Sequence, residues 1–249
     1  MRKISLMKTS LAESIKEYLP TRFLPFARSS WRGAKIATVI GRSPGNLLYL
    51  NRYYRLLHLN SIQDRKPWVT FGAIDWLSKR INKDWYVFEF GSCGSTLFFS
   101  DHEVKLVSVE HDPMWYENVQ AVLRNEGKLV KCDYRLACPD LCEAGTPVMP
   151  SNRYSASNAD YKRYVETIDE FPDETFDLSF VDGRARMECV RQSVNKVKKG
   201  GYILLDDSYR DDYRDIFKIL KDWKRRDFYG LGPYRREASQ TTIWQSPKI

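Results

Sequence analysis

Residues 86–96, with the sequence YVFEFGSCGST, decide the fold of this chain. Their apolar beginning predicts a buried parallel strand, and the small residues that follow predict a turn into a helix. Gly91 and Gly94 allow positive φ angles and let the backbone approach a ligand closely. Ser95 or Thr96 could cap the next helix, whose first N–H groups would then face that ligand.

A second apolar strand is followed by an acidic residue. The number of residues between the glycine loop and this acid is typical of nucleotide-binding folds. The strand covers residues 104–109, and Glu110 follows it, 19 residues after Gly91. In such folds an acidic residue about 20 residues after the glycines hydrogen-bonds a ribose hydroxyl. The full spacing Gly-x-Gly-x-x-Gly is absent, which disfavours a nicotinamide dehydrogenase. The loop and the acid together indicate a cofactor that carries a nucleoside.

The remaining chain alternates strands with helices. Further strands are predicted at 129–132 (ending at Asp133), 176–181 and 202–205, and two closing β segments at 228–231 and 241–244. Helices are predicted from residue 68, over 114–125 with Asp112 as N-cap, over 161–168, behind the fourth strand and over 213–223. Lys198 to Gly201 are expected to close the helix before the fifth strand. The alternation predicts an α/β fold: a doubly wound, Rossmann-like, mostly parallel sheet with a C-terminal antiparallel β pair and an N-terminal helical arm.

The positive charge lies almost entirely in the N-terminal quarter. Residues 1–60 hold 11 Lys/Arg against two acids, while the whole chain of 249 residues carries +8. We therefore predict a basic helical arm at 1–66 and a Rossmann-like domain at 67–249. Because the domain itself is nearly neutral, nucleic acid is disfavoured as a partner.

Two interpretations of the arm stay open. Leu11, Ile15, Tyr18 and Leu19 share one helical face, and Pro20 and Pro25 are expected to end that helix. A basic loop (Arg22, Arg28, Arg32, Lys35), a second helical piece at 44–60 and a linker at 62–67 should follow. The arm could lie on an anionic membrane surface, or it could pack on the domain with its basic face in water.

Composition indicates a cytoplasmic protein, with the arm as a means of attachment to the inner membrane face. No apolar run reaches the roughly 18 residues of a membrane-spanning helix, and no cleavable leader is evident. The odd number of cysteines indicates reduced thiols. Three of the five are clustered in sequence but lack a C-x-x-C pair and a nearby His, which disfavours zinc. The cysteines are Cys93, Cys132, Cys138, Cys142 and Cys189.

Polar residues follow every predicted parallel strand. They lie at 89–96, at 110–111, at Asp133, at 182–186 and at 206–210. Ligands of open α/β sheets bind outside the carboxyl ends of the strands. We expect these residues to form one site.

Five stretches resemble class I S-adenosylmethionine-dependent methyltransferases. They are VFEFGSCGST, VSVEHDPMWY, FDLSFVDGRARMECV, KKGGYILLDDSYRDDY and FYGLGPYRREASQTTIW, in that order from about residue 67 to the end. They are similar to a bacterial branch with an E-x-G-S-x-x-S-T loop and a D-G-R-x-R motif. The arm lies outside the resemblance.

The resemblance implies a role for each strand end. Glu89 and the loop would hold the methionine end of the cofactor, Glu110 would bind both ribose hydroxyls with His111 beside the adenine, and Asp133 would approach the adenine edge. Asp182 would reach toward the methyl group. Cys93 is a departure, because such loops commonly carry glycine there. The cofactor-binding set is Glu89, Gly91, Ser92, Cys93, Gly94, Ser95, Thr96, Glu110, His111, Asp133 and Asp182.

Methyl transfer needs alignment of acceptor and methyl group, and a general base where the acceptor is a hydroxyl. The catalytic candidates are Asp182, Asp206, Asp207 and Arg184. The three carboxylates could instead bind Mg²⁺, as catechol-type O-methyltransferases do with Asp-Asn where this chain has Asp-Asp. Arg184, Arg186 and Arg210 would form a cationic rim for an anionic acceptor, or else pair with the aspartates.

The predicted function is O-methylation of a small molecule or glycan. An RNA or protein methyltransferase is the alternative, although no N/D-P-P-Y/F motif follows the fourth strand, where Asp182-Gly183-Arg184 stands. A third hypothesis is a non-catalytic scaffold that binds the cofactor and recruits a partner.

Overall fold

The computed structural model describes residues 24–56 (side chains from residue 33), 59–139, 161–235 and 237–248. The predicted helix around Leu11 to Leu19, Cys142 and most of the long segment after the third strand lie outside the described residues.

A seven-stranded sheet organises the domain. Its strands are β1 (Tyr86–Phe90), β2 (Lys105–Glu110), β3 (Cys132–Leu136), β4 (Phe176–Val181), β5 (Val197–Leu205), β6 (Lys224–Gly230) and β7 (Ser239–Gln245). They lie in the order β3-β2-β1-β4-β5-β7-β6. The first five strands are parallel, and β7 is antiparallel to both β5 and β6. The predicted doubly wound sheet with a C-terminal antiparallel pair is confirmed.

Helices cover both faces of the sheet. They are α1 (Leu24–Arg42), α2 (Leu50–Leu56), α3 (Ser61–Asp64), α4 (Phe71–Ser78), α5 (Gly94–Asp101), α6 (Pro113–Asn125), α7 (Lys162–Glu166), α8 (Arg186–Lys196) and α9 (Arg214–Ile219). Short 3₁₀ segments lie at Pro44–Tyr49, Leu129–Lys131, Thr167–Glu170 and Asp211–Tyr213. The predicted cap of α6 is confirmed, since the Asp112 carboxylate accepts from the N–H groups of Met114 and Trp115.

Alternate strand residues supply two separate cores. Val87 of β1 packs with the helices from α1 to α6, whereas Phe88 and Phe90 pack with α7, α8 and α9. This follows from the period of two in a strand buried on both faces. The chain turns back beside β1, so β1 and β4 border the crevice where ligands of this fold class bind.

The described part of the N-terminal segment packs on the first core. Ile36, Val39, Tyr53 and Leu56 are all buried there. The side-chain amide of Asn46 donates to Tyr229 O, within β6, at 3.1 Å. It also accepts from the N–H of Leu231, the residue after β6, at 2.8 Å. The boundary between arm and domain at residue 66 stays a prediction.

Two expectations for this segment were wrong. The supposed basic loop with Arg28, Arg32 and Lys35 belongs to α1, and Pro25 lies in its first turn, where no N–H bond is required. The supposed linker contains α3, whose N-terminus is capped by the Asn60 side chain on Gln63 N at 2.9 Å. A helix of four residues is too short for periodicity to reveal.

Two strand boundaries also differ from the prediction. The third strand begins at Cys132, where it was expected to end, because residues 129–131 form a 3₁₀ turn. Lys198 to Gly201 belong to β5 and do not end a helix. Gly200 has φ +77°, and the pairing of β4 with β5 shifts register beside it. A glycine in a bulged strand therefore resembled a helix stop.

Candidate active site

The glycine loop packs against protein backbone. Gly91 has φ +90°, and a Cβ there would lie 2.5 Å from the Cα of Gly183, in the loop after β4. A Cβ on Gly94 would lie 2.2 Å from Ser61 O. Both glycines are thus required by the close approach of neighbouring segments. Their predicted contact with a cofactor stays a prediction.

Glu110, at the carboxyl end of β2, holds the glycine loop. Its Oε2 accepts from the N–H and the hydroxyl of Ser92, each at 2.8 Å. Its Oε1 accepts from the N–H groups of His111 (2.8 Å) and Asp112 (2.9 Å). Burial alone would raise the pKa of Glu110, but these hydrogen bonds and the adjacent His111 ring outweigh it and lower that pKa. Glu110 is therefore ionised and aimed at the loop.

Tyr134 supports the same loop from β3. Its hydroxyl lies 2.7 Å from the Ser92 hydroxyl, and its ring stacks on Tyr116 with centroids 4.5 Å apart. Ser92 therefore connects the end of β1 with the end of β2 and with the middle of β3. Sequence analysis missed Tyr134, although its alternation with buried Cys132 along β3 marks it as inward-facing.

Glu89 is completely buried at the end of β1. Its Oε2 accepts from Thr96 Oγ1 at 2.6 Å and Ser108 Oγ at 2.5 Å. Its Oε1 has no hydrogen-bond partner among the described residues. Burial raises the pKa of Glu89 to about 7, and the hydroxyl groups of Ser108, Ser95 and Thr96 offset this only in part. An unpartnered polar atom in this position fits a site that a polar ligand completes.

The start of α5 is capped differently from the prediction. Cys93 is the N-cap, and Thr96 accepts from the Cys93 N–H at 3.2 Å, while Ser95 lies buried in the first turn. The Cys93 thiol lies 2.7 Å from the Ser61 hydroxyl. Burial raises its pKa to about 11, so this thiol stays protonated at neutral pH.

Asp133 does not lie at the carboxyl end of its strand, so the expectation that placed it there was wrong. It is the second residue of β3, it pairs in register with Val107, and its carboxylate binds Arg135 at 2.7 Å on the exposed edge. The strand-end position belongs to Ala137, whose N–H donates to Glu110 O at 2.7 Å.

An aromatic cluster covers the crevice between β1 and β4. Tyr164 of α7 is fully buried, with its ring 5.6 Å from Phe90 and 5.8 Å from His111. Its hydroxyl lies near the Arg184 N–H but makes no hydrogen bond of normal geometry. A Cβ on Gly183 would lie 2.0 Å from that hydroxyl. Tyr164 was missed because a single helical tyrosine in a long irregular segment has no distinguishing pattern.

Gly183→Ala should destabilise the protein by about 1–3 kcal/mol, because the added methyl group overpacks against Tyr164. Tyr164→Phe should recover part of this loss in the double variant, since it removes the oxygen that the methyl group meets. Urea unfolding of the single and double variants measures both effects. Gly41→Ala is the control, because its Cβ has nothing within 4 Å. If Gly183→Ala costs as much in the Tyr164→Phe background as in the wild type, the packing argument is contradicted.

Three aspartates and three arginines join in one ion-paired cluster at the carboxyl ends of β4 and β5. We call this the aspartate–arginine network: Asp182, Asp206, Asp207, Arg186, Arg210 and Arg235. It contains three of the four predicted catalytic residues and two of the three arginines of the predicted cationic rim. Those two arginines, Arg186 and Arg210, pair with aspartates, which was the alternative to a free cationic rim.

Asp206 is completely buried and bound on both oxygens. Oδ2 pairs with Arg235 and lies 3.8 Å from Arg186 Nη1, and Oδ1 accepts from Thr241 Oγ1 at 2.8 Å. Burial raises the pKa of Asp206, and Arg235 offsets that rise in part. With no free oxygen and no exposed surface, Asp206 is a structural carboxylate.

Asp207 is bound as fully as its neighbour. Its Oδ1 accepts from Arg235 and from Ser239 Oγ at 2.8 Å, and its Oδ2 pairs with Arg210 at 2.6 Å. Burial alone would raise the pKa of Asp207, but the guanidinium groups of Arg235 and Arg186 hold it well below its usual range. Asp207 is therefore a weak base.

Asp182 has a single ion pair and is the most exposed of the three carboxylates. Arg186 Nη2 lies 2.9 Å from its Oδ1, and 14% of its side chain is exposed. Burial raises the pKa of Asp182 well above its usual value, although Arg186 counteracts this. Of the three aspartates, Asp182 therefore has the fewest ion pairs and the most exposed side chain, which gives it the access to an acceptor that a general base requires.

Arg184 has no side-chain ion pair with any residue that the structure describes, and it is half-buried in the loop after β4. Arg235 was missed in the sequence because it approaches Asp206 from the connection between β6 and β7, 29 positions away. No local spacing links them.

Within the described ranges, no group of three or more His, Cys, Asp or Glu side chains is arranged to hold a metal ion. The Mg²⁺ ion that the three carboxylates could have bound does not fit here, because guanidinium and hydroxyl donors occupy the oxygens of Asp206 and Asp207. None of the helices in this part of the chain combines the length and apolar character that crossing a bilayer needs.

The fold is shared with several solved structures. A putative O-methyltransferase from Klebsiella pneumoniae is 16% identical over 78% of this chain and 88% of that chain, with a TM-score of 0.54. A putative caffeoyl-CoA O-methyltransferase from Staphylococcus aureus is 11% identical over 74% and 87%, with a TM-score of 0.51. The cofactor-bound protein Rv0187 from MTB is 14% identical over 76% and 87%, with a TM-score of 0.50. At such identities the likeness shows the fold.

No protein-family model matches the chain, and no curated protein matches it in sequence.

Proposed function

We propose that this chain is an S-adenosylmethionine-dependent methyltransferase that methylates a hydroxyl group of a small molecule or glycan. The observation that carries the proposal is the position of Glu110, ionised at the end of β2 and bound to the glycine loop after β1. Two structures with which the chain shares this fold are described as O-methyltransferases. Fold alone does not establish function, so the site residues carry the argument.

The residues at the strand ends fit such a cofactor. Glu110 would accept from the ribose hydroxyls after Ser92 turns its own hydroxyl toward Tyr134, which already lies 2.7 Å away. The unpartnered Oε1 of Glu89 is available to a polar group of the methionine end. His111 and Tyr161, with ring centroids 5.6 Å apart, offer aromatic surface for the adenine. When bound, S-adenosylmethionine supplies an electrophilic methyl group.

Asp182 would act as the general base. It would take the proton of the acceptor hydroxyl as the oxygen becomes nucleophilic, and Arg186 would hold it in place. Arg184 would attract an anionic acceptor, since it has a charge that no described carboxylate neutralises. The other two aspartates would fix the end of β5.

A non-catalytic cofactor-binding scaffold is the second candidate. It is favoured by the observation that two of the predicted catalytic residues, Asp206 and Asp207, are already bound by arginines. Attachment of the arm to an anionic membrane also stays a proposal. Its described part packs on the domain and carries the exposed Leu47 and Leu48.

Glu110→Ala should weaken the binding of S-adenosylmethionine by about 1–3 kcal/mol, because the variant loses a charged hydrogen-bond acceptor. Calorimetric titration measures this, with circular dichroism to confirm folding. Glu117→Ala, an exposed glutamate on α6, is the matched control. In a second arm, methyl transfer to hydroxyl acceptors is compared between wild type and Asp182→Asn.

Absence of cofactor binding by the wild type would overturn the proposed function. Binding without methyl transfer to any acceptor class would favour the scaffold. Equal turnover by Asp182→Asn would contradict only the role of Asp182 as base.

A further inference from the structure

We propose that Arg235 and Arg186 take the place of a divalent cation between the three aspartates, so that the aspartate–arginine network is a metal-independent centre. The inference concerns only what the carboxylates bind, and it holds whether or not the chain transfers methyl groups. In the sequence, binding of Mg²⁺ by the three aspartates was one of two open possibilities.

Protein donors already occupy the carboxylate oxygens that a metal ion would need. All four oxygens of Asp206 and Asp207 accept from a donor within the protein. Arg235 bridges the two carboxylates, with Nη1 on Asp207 and Nη2 on Asp206. Mg²⁺ binds through such oxygen atoms and demands near-octahedral geometry. A metal ion could bind here only after an arginine had left.

The charge of the network also disfavours a divalent cation. Three guanidinium groups already face the three aspartates, so the network contains its own positive charge. A guanidinium group stays protonated throughout the range in which proteins are folded. A divalent cation would therefore add two uncompensated positive charges to a site in which Asp206 is completely buried. Such a charge is costly where water is excluded.

Both arginines are also held by groups outside the carboxylates. Arg186 donates to the carbonyl oxygens of Gly183 (3.0 Å), Asp182 (2.9 Å) and Asp206 (2.7 Å). Arg235 donates to Trp68 O at 3.0 Å and to Ser239 Oγ at 2.9 Å. Carbonyl oxygens, and for Arg235 also the Ser239 hydroxyl, therefore fix the positions of both guanidinium groups. Each of the two groups binds aspartates and these further acceptors at the same time.

The test uses Mn²⁺ as the probe, with binding followed by the electron paramagnetic resonance signal of the free ion. Neither cofactor nor acceptor is present, so the result is independent of the proposed function. Wild type should show no saturable binding up to about 1 mM, the weak end of protein cation sites. Arg235→Gln should gain a saturable site, and its melting temperature should rise with Mn²⁺. The double variant Arg235→Gln with Asp206→Asn should lose that site.

Arg214→Gln is the matched control, because Arg214 pairs with Asp211 on the surface and should gain no site. If Arg235→Gln does not fold, Arg210→Gln provides the second variant, since it frees Asp207 Oδ2 on the more exposed side. Saturable Mn²⁺ binding by wild type that Asp206→Asn abolishes would overturn the proposal. A folded arginine variant that ignores Mn²⁺ as wild type does would overturn it equally.

Discussion

Arg186→Ala should lower the free energy of unfolding by about 3–5 kcal/mol, because it leaves buried carboxylates without their cation. The Arg186 side chain is only 10% exposed and lies 2.9 Å from Asp182, 3.8 Å from Asp206 and 3.6 Å from Asp207. It also donates to three carbonyl oxygens at the ends of β4 and β5. The variant therefore loses ion pairs and hydrogen bonds that join two neighbouring strands. Equilibrium unfolding in urea measures the change.

Arg214→Ala is the control for Arg186→Ala, because its ion pair with Asp211 is exposed and should contribute little. Arg186→Lys should fall between the two, since lysine keeps the charge but cannot donate to three carbonyl oxygens at once. A loss from Arg186→Ala no larger than that of the surface control would show that the network does not hold the strand ends together.

The stability of Glu89→Gln relative to wild type should rise with pH, by about 2.5 kcal/mol between pH 5 and pH 8. Burial raises the pKa of Glu89 from its ordinary value of 4.5 to about 7. Between these values the folded protein keeps a proton that the unfolded chain has released. Wild-type stability must therefore fall as the pH rises through this window. Glutamine cannot titrate, so the variant lacks this dependence.

The measurement for Glu89→Gln is urea unfolding of both proteins at several pH values from 5 to 8. The variant keeps a carbonyl oxygen for Thr96 and Ser108, so its hydrogen bonds are preserved. Asp182 and Asp206 also have raised pKa values, and the difference between the two proteins removes their contribution. A stability difference that is constant over pH would show that Glu89 is ionised in the folded protein.

Most of the fold could be predicted because its signals are local. The strand Phe176–Val181 is apolar at four of its six positions, and Asp112-Pro113 is a helix start that side-chain chemistry alone explains. The wrong predictions concern segments whose structure depends on contacts with other parts of the chain or on very few residues. Gly200 resembles the glycine that ends a helix, and only its bulged pairing with β4 shows that it lies in a strand. The helix α3 has too few residues to show a hydrophobic periodicity.

The candidate site was only partly predictable for the same reason. Glu110 and Asp182 could be found because each directly follows an apolar strand. The partners that set their properties come from elsewhere in the chain, as Tyr164 and Arg235 do. Arg186 was identified as a cation, but whether it faced an acceptor or an aspartate depended on the approach of β5 to β4.

The amide of Asn46 has a consequence for self-association. β6 lies at the edge of the sheet, and an unpaired edge is a template for another chain. The Asn46 amide hydrogen-bonds the N–H of Leu231 and the carbonyl oxygen of Tyr229. These are the two backbone groups that a strand of another molecule would have to hydrogen-bond at this end. At the other end, β6 begins with exposed Lys224, Arg225 and Arg226. One side-chain amide and three like charges therefore protect this edge against strand addition.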